Sequence, residues 1–278
     1  MFKGLLNRVR VDLVRSYYPK RGLWSPIDTQ HRPMGVADQA SVRLCCGTLI
    51  DMMSMRTKWR SSLDYCSKYL LMVYSTYEDE AHRSSGGAET TATTLKWWAL
   101  AMVAFPEVQR RAHAELDAVI GRDRLPTFAD APRLPYIHSV IKEVLRWRPT
   151  LPLGVPHAAD EDDWYEGMFI PKGTVCIPNA WHCNHDRAIF GEDADKFRPE
   201  RHLDERGELL SGPVETNQAG HVSFGFGRRI CVGKELAANS LFISVARVLW
   251  AANFERARDE NGRELPVDTE TIVDVGLL

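Results

Sequence analysis

The stretch Phe224-Gly-Phe-Gly-Arg-Arg-Ile-Cys-Val-Gly233 places a single cysteine, Cys231, in a loop rich in glycine and arginine. The residues after it have an apolar face at helical spacing, so the cysteine is expected at the start of a helix. Unpaired backbone N–H groups and the positive end of the helix dipole favour a thiolate there, and the cations Arg228, Arg229 and Lys234 act in the same direction. The pattern indicates a soft anionic metal ligand.

The glycines of the loop, Gly225, Gly227 and Gly233, let the backbone adopt positive φ and pass close to a large flat ligand. An arginine beside the sulfur can pair with an anionic group of that ligand. Two other interpretations compete. A lone cysteine is often a small buried hydrophobe. A glycine loop before a helix can instead bind phosphate, although Ile230 stands where the third glycine of a G-x-G-x-x-G motif would be.

The loop resembles the haem-binding signature of the cytochrome P450 family, F-x-x-G-x-R-x-C-x-G, at every fixed position. The resemblance implies that Cys231 is the axial thiolate ligand of haem b, a ligand that favours O–O cleavage in this family. It also implies that Phe224 packs near the thiolate and limits the access of water. The other residues expected at the haem are Gly225 and Gly233, and Arg229 and His157 as partners of its propionates.

A second motif lies on the predicted helix 136–147, where Glu143 and Arg146 share a face. A solvated ion pair, worth roughly a few tenths of a kcal/mol, is one interpretation, but the flanking residues are unusually apolar for it. The helix resembles the family's E-x-x-R helix, whose buried pair is joined by an arginine from a later P-E-R segment, here Arg201. The network is expected to support the proximal side of the haem without taking part in the chemistry. His202 replaces the aromatic residue that often follows P-E-R.

The segment Gly86-Gly-Ala-Glu-Thr-Thr91 resembles the family's oxygen-binding segment, in which an acid and a threonine deliver protons to bound dioxygen. The resemblance assigns these catalytic roles to Glu89 and Thr90. Taken alone, the segment is better explained as a helix start with Ser84 or Ser85 as N-cap. Its place before the E-x-x-R helix and the cysteine loop, in the family's order, favours the catalytic interpretation.

The stretch Trp181-His-Cys-Asn-His-Asp186 offers His182, Cys183 and His185 as ligands for a small metal site. No fourth ligand lies nearby in the sequence, and the family often has a similar stretch rich in Trp and His at this point. A metal site is therefore not predicted there.

The chain is predicted to be mainly α with a minor β-sheet, and the resemblance implies a cytochrome P450 fold that is incomplete, with the N-terminal half largely missing. Residues 81–278 are expected to form the C-terminal haem-binding part, and residues 1–80 an unassigned N-terminal segment that is poorly ordered. The helices are expected over 88–105, from Pro106 to Gly121, over 136–147 and after Gly233, and the short strands near Val155, at Phe169-Ile170 and over Thr174–Ile177.

Composition excludes few classes of protein. The net charge of −2 gives no reason to expect a nucleic-acid partner, and six cysteines without regular spacing favour a reducing compartment over a disulfide framework. No apolar run is long enough to span a bilayer. The family implies the cytoplasmic face of the endoplasmic reticulum membrane, whereas a chain without the family's anchor is expected in the cytoplasm.

The resemblance implies a haem-thiolate monooxygenase of secondary metabolism that inserts one atom of dioxygen into an apolar small molecule. Electrons are expected from NADPH through a flavoprotein reductase, since the sequence has no nucleotide-binding motif of its own. One alternative is a truncated family fragment that at most binds haem and is catalytically inactive. A non-haem thiol or zinc protein is the other. No short motif identifies the substrate.

Overall fold

The computed structural model describes residues 9–13 and 85–269. The predictions for the rest of residues 1–80, including their poor order, and for residues 270–278 lie outside this range. The helices are α1 (Ser85–Ala104), α2 (Pro106–Val119), α3 (Pro135–Trp147), α4 (Ala180–Asn184), α5 (Arg187–Phe190) and α6 (Lys234–Ala251). The strands are β1 (Val9–Leu13), β2 (His157–Ala158), β3 (Asp163–Tyr165), β4 (Met168–Ile170), β5 (Val175–Cys176) and β6 (Ala252–Arg256). Short 3-10 helices cover Phe128–Arg133, Pro199–His202, Val214–Thr216 and Gly227–Arg229. The prediction of a mainly helical chain with a minor β component is confirmed for the described residues.

The long helices begin and end near the predicted residues. Helix α1 starts at Ser85, so the glycine pair of the oxygen-binding segment lies inside its first turn although glycine is a poor helix former. Pro106 begins α2, because the N–H that proline lacks would be unpaired at that position anyway. Helix α2 ends with Ile120 as C-cap, and Gly121 follows at φ 71°.

Helix α3 is the central helix of the core. Ten of its 13 residues are buried, so it is surrounded by protein on nearly every side. Its first turn is held by Glu115 of α2, whose carboxylate accepts the backbone N–H of Tyr136 at 2.8 Å and that of Ile137 at 3.0 Å. These bonds satisfy two of the donors that a helix start leaves unpaired. These bonds fix the position of the start of α3, the helix that carries Glu143 further along.

Strand β6 continues directly from α6 and packs on the helical core. Its residue Phe254 is buried and exchanges two hydrogen bonds with the side-chain amide of Gln109, at 2.7 and 2.9 Å. The amide therefore pairs with this strand as a neighbouring strand would. On the other edge of β6, β1 pairs antiparallel with Val9 opposite Arg256.

The strands form three separate antiparallel pairs, β1 with β6, β2 with β5 and β3 with β4. The strand predicted near Val155 begins two residues later, at His157, because Gly154 turns the chain at φ 57° just before Val155. Strand β3 was not predicted, since its three residues are all exposed and show no alternation. None of the helices in the described ranges combines the length and the apolar composition needed to cross a bilayer.

Candidate functional site

The Glu143–Arg146 pair lies inside the core and is inaccessible to solvent, with both side chains 0% exposed. Arg146 donates to both carboxylate oxygens of Glu143, from Nε at 2.9 Å and from Nη2 at 2.8 Å. Arg201, from the 3-10 helix Pro199–His202, donates its Nε to Glu143 Oε1 at 3.0 Å. The structure thus brings these three predicted network residues into contact, and the solvated-pair interpretation does not describe them.

Both arginines of this network also bind carbonyl oxygens. Arg146 donates to the carbonyls of Asn184 at 2.7 Å, Ala194 at 2.6 Å and Lys196 at 2.9 Å. Arg201 donates to the carbonyls of Phe190 at 3.0 Å and Asp193 at 2.9 Å, and it also pairs with the Asp193 carboxylate at 3.3 Å. Because every donor of the two arginines is directed at an oxygen, the network meets the conditions under which a buried ion pair is tolerated. The network therefore joins α3 to the irregular segment between α4 and the P-E-R turn.

His202 is a member of this network that the sequence did not reveal. The ring is 4% exposed, and its Nε2 lies 2.9 Å from Glu143 Oε2. Burial lowers the pKa of His202, and the hydrogen bond to Glu143 only partly offsets that effect. The imidazole is consequently neutral at pH 7, and its Nε2–H donates to the carboxylate.

The carboxyl of Glu143 stays ionised in this environment. Burial by itself would raise its pKa, but the hydrogen bonds from Arg146 and His202 and the charge of Arg146 outweigh burial and lower the pKa to about 2. The network is therefore ionic over the whole physiological pH range.

The loop around Cys231 presents its sulfur to solvent. The 3-10 helix Gly227–Arg229 precedes Cys231, whose backbone N–H donates to Phe224 O at 2.8 Å and closes the loop. The thiol side chain is exposed. Helix α6 begins at Lys234, so Cys231 lies just before the helix rather than in its first turn.

The loop glycines differ in what they provide. Gly225 and Gly227 have φ of 69° and 56°, which residues with a side chain rarely adopt. Gly233 has an ordinary φ of −84°, but a Cβ there would lie 3.8 Å from the sulfur of Cys231. Glycine at 233 therefore leaves open the space beside the thiol that a side chain would fill.

Of the other residues predicted to contact the cofactor, Phe224 packs on the core, whereas Arg229 and His157 lie on the surface. Phe224 is half-buried, packs against the core and lies 5.5 Å from the ring of His221. Arg229 is exposed, and within residues 85–269 it has no carboxylate within ion-pair distance. His157 is exposed in β2, whose pairing partner is β5.

The predicted catalytic residues Glu89 and Thr90 are partly exposed on the early turns of α1. Two further hydroxyls approach the carbonyl of Thr90, from Thr94 at 2.9 Å and from Thr150 at 3.4 Å. Thr94 and Thr150 also bond to each other at 3.1 Å. This pair of threonines ties the acid–threonine segment to the loop that follows α3, a contact for which the sequence held no signal.

Exposed apolar side chains occur on the cysteine loop and on other segments that hydrogen bonds connect to it. The loop after α3 bonds to α4 through Pro152 O and Trp181 N at 2.8 Å, and the cysteine loop bonds to the end of α3 through Ser223 Oγ and Leu145 O at 2.6 Å. The segments meeting there carry the exposed residues Leu153, Val155, Val175, Ile177, Phe226, Val232 and Leu236. An exposed thiol, an exposed arginine two residues before it and apolar surface suit a large, flat, anionic metal cofactor.

The metal site considered at Trp181–Asp186 is not assembled. His182 and Cys183 are exposed, whereas His185 is half-buried and bonds through Nδ1 to Trp181 O at 2.8 Å. The described residues contain no group of three or more side chains that could hold a metal ion.

Comparison with known proteins finds a matching family model and several relatives. The family model for cytochrome P450 matches residues 84–274. A cytochrome P450 monooxygenase of Armillaria gallica is 56% identical over 194 residues, which cover 70% of this chain and 37% of that protein. Cytochrome P450 monooxygenase 58 of Postia placenta is 50% identical over 192 residues, covering 69% of this chain and 36% of that protein. A cytochrome P450 monooxygenase of Amanita muscaria is 39% identical over 237 residues, covering 69% of this chain and 42% of that protein. The chain spans less than half the length of these curated relatives.

Proposed function

The chain belongs to the cytochrome P450 family, and we propose that it carries the haem-thiolate part of a monooxygenase, with Cys231 as the ligand of the iron. The described part is a portion of that family's fold, mainly helical with small antiparallel sheets. The observation that carries the proposal is the exposed thiol of Cys231 in a glycine loop whose base is bonded to the buried core of α3.

Haem is the cofactor that the family implies, and the residues present fit it. Cys231 would bind the iron, Arg229 and His157 would pair with the propionates, and Gly225 and Gly233 would leave room for the ring. Phe224 would keep water from the sulfur. A thiolate-bound haem supplies the activation of dioxygen, because the thiolate donates electron density that favours O–O cleavage.

The chain's own residues would supply positioning and protons. The network of Glu143, Arg146 and Arg201 would hold the proximal side of the site in place, with no part in the chemistry. Glu89 would take up protons from solvent, and Thr90 would carry one proton at a time on its hydroxyl and pass it into the site. Partial exposure of both residues is compatible with such a path.

The substrate, partners and location are also proposals. A small apolar molecule is the proposed substrate, and the exposed apolar side chains Leu153 and Val155 in the segment after α3 support that choice. The relatives are named monooxygenases, so we take the proposed reaction to insert one oxygen atom from dioxygen. Electrons would come from NADPH through a flavoprotein reductase, at the cytoplasmic face of the endoplasmic reticulum.

The test is reduction of the haem-loaded chain under carbon monoxide, once by dithionite and once by NADPH with a flavoprotein reductase. The proposal predicts a Soret band at the position typical of thiolate ligation in both cases. A band with dithionite alone would favour the second candidate, a catalytically inactive fragment that at most binds haem. That candidate draws support from exposed apolar side chains outside the cysteine loop, such as Trp164 and Val214. Absence of the band under both conditions would contradict the proposal.

A further inference from the structure

Asn184, the last residue of α4, connects the buried ion network to the cysteine loop. It is 0% exposed, and all of its carbonyl and amide side-chain groups are bonded. Its Oδ1 accepts Val222 N at 2.8 Å, and its Nδ2 donates to Ser223 Oγ at 3.1 Å. Its backbone carbonyl accepts Arg146 Nη1 at 2.7 Å. A single residue thus bonds both to the network arginine and to the base of the loop.

The connection continues from Asn184 to the cysteine. Ser223 Oγ donates onward to Leu145 O at 2.6 Å, which fixes the loop base on α3. The next residue, Phe224, accepts the N–H of Cys231 at 2.8 Å. Asn184 bonds to Ser223, and Cys231 bonds to Phe224. Ser223 and Phe224 are consecutive residues, so a single peptide bond connects the two hydrogen bonds.

Asparagine suits this position because it has an acceptor and a donor on a short side chain. Aspartate at this position would still accept the N–H of Val222. Its second carboxylate oxygen, however, would replace the amide nitrogen that donates to Ser223 Oγ, and it would have no hydrogen to donate in this buried site. Leucine has a similar volume and would leave Val222 N and Ser223 Oγ without this partner. Helix α4 has only five residues, too few to be stable alone, so these contacts also hold the helix itself.

We propose that Asn184 is a positioning residue that sets the place of the Cys231 thiol relative to the Glu143–Arg146 network. The inference rests on the proposed function, in which Cys231 binds the haem iron. Asn184 itself does not touch the cofactor site. It acts through the loop base, so its loss would let the thiol move away from the place where the iron must be bound.

The test compares Asn184→Leu and the milder Asn184→Asp and Ser223→Ala with His182→Ala, a change to an exposed side chain on the same helix. Hydrogen exchange of the haem-free full chain is measured first. The amides of Val222 and Cys231 should exchange at least about tenfold faster in Asn184→Leu, the factor for losing about one hydrogen bond. Smaller increases are expected in Asn184→Asp and Ser223→Ala, and wild-type rates in His182→Ala.

The second readout is the reduced carbon monoxide spectrum of the haem-loaded chains. The fraction of haem with thiolate-type absorption should fall severalfold in Asn184→Leu and stay unchanged in His182→Ala. Equal exchange at Cys231 in Asn184→Leu and His182→Ala would overturn the inference, and so would a uniform increase at all amides, which indicates a purely structural role. A wild-type chain that shows no thiolate band would contradict the proposed function but not the inference about Asn184. The hydrogen exchange of the Cys231 amide would still decide whether Asn184 positions the loop.

Discussion

The imidazole Nε2 of His202 lies 2.9 Å from Oε2 of Glu143, so a neutral histidine donates to a carboxylate that also binds two arginines. The position after P-E-R often holds an aromatic residue in the family, and a phenyl ring there could not make this bond. The opposite side of the imidazole packs on Gly220, where a Cβ would lie 2.9 Å from Nδ1. The ring therefore fills the space of an aromatic residue and adds a hydrogen bond.

Replacing His202 with Phe should lower the free energy of unfolding by about 1–3 kcal/mol, because it leaves a buried carboxylate oxygen without one of its donors. The measurement is the urea midpoint of the full chain, with His157→Phe as control, since His157 is exposed. An unchanged midpoint in His202→Phe would mean that the ring only packs and that its bond to Glu143 adds nothing.

Replacing Glu143 with Gln should cost more, about 3–5 kcal/mol, because it leaves Arg146 buried without its counter-charge and leaves Arg201 with Asp193 alone, at 3.3 Å. The control is Glu192→Gln, which removes the same charge from an ion pair on the surface. The side chain of Glu192 is 91% exposed and lies 3.4 Å from Arg187. That change should stay within about 0.5 kcal/mol. The free energy of unfolding of both variants is measured by thermal unfolding. Similar decreases in the two variants would show that the buried network contributes little to stability.

The stability should fall as the pH drops below about 6.5, the pKa of histidine in an unfolded chain. Burial lowers the pKa of His221 to about 3, and it also lowers the pKa of His202. Between the folded and unfolded pKa values the unfolded chain binds more protons, so stability is complete above pH 6.5 and declines by about 1.4 kcal/mol per pH unit for each such proton.

His221→Asn tests this pH dependence, because its amide oxygen can still accept the Ser223 N–H that His221 Nδ1 accepts at 3.3 Å. Urea unfolding at several pH values between 7.5 and 5.5 should give a slope that is smaller than in the wild type by about half a proton on average, because an unfolded histidine is half protonated at about pH 6.5. If both chains have the same slope, His221 is not buried as a neutral ring.

The long helices could be predicted because their apolar residues recur at a 3.6-residue period and prolines mark their starts. Pro106 begins α2 as expected, and the period around Glu143 identified α3. The family signature further identified the residues that form the buried ion network. These features depend on residues that are close together in the sequence, so a single sequence is enough to predict them.

The remaining features depend on tertiary contacts. Helix α4 has five residues, too few to show a helical period, so the contacts of Asn184 could not be predicted from its sequence. His202 was noted only as a departure from the family pattern, because nothing local shows that its turn packs on α3. Strand β3 is exposed throughout and has no alternation to detect. In each case the deciding partner is distant in the sequence.

The most direct measurement of the central claim compares Cys231→Ser with Cys183→Ser, since both cysteines are exposed and only the first lies in the glycine loop. Each variant of the chain is loaded with haem, reduced and exposed to carbon monoxide. The account predicts that the thiolate-type Soret band is present in the wild type and in Cys183→Ser and is lost in Cys231→Ser. An unchanged band in Cys231→Ser would contradict the assignment of Cys231 as the ligand of the haem iron.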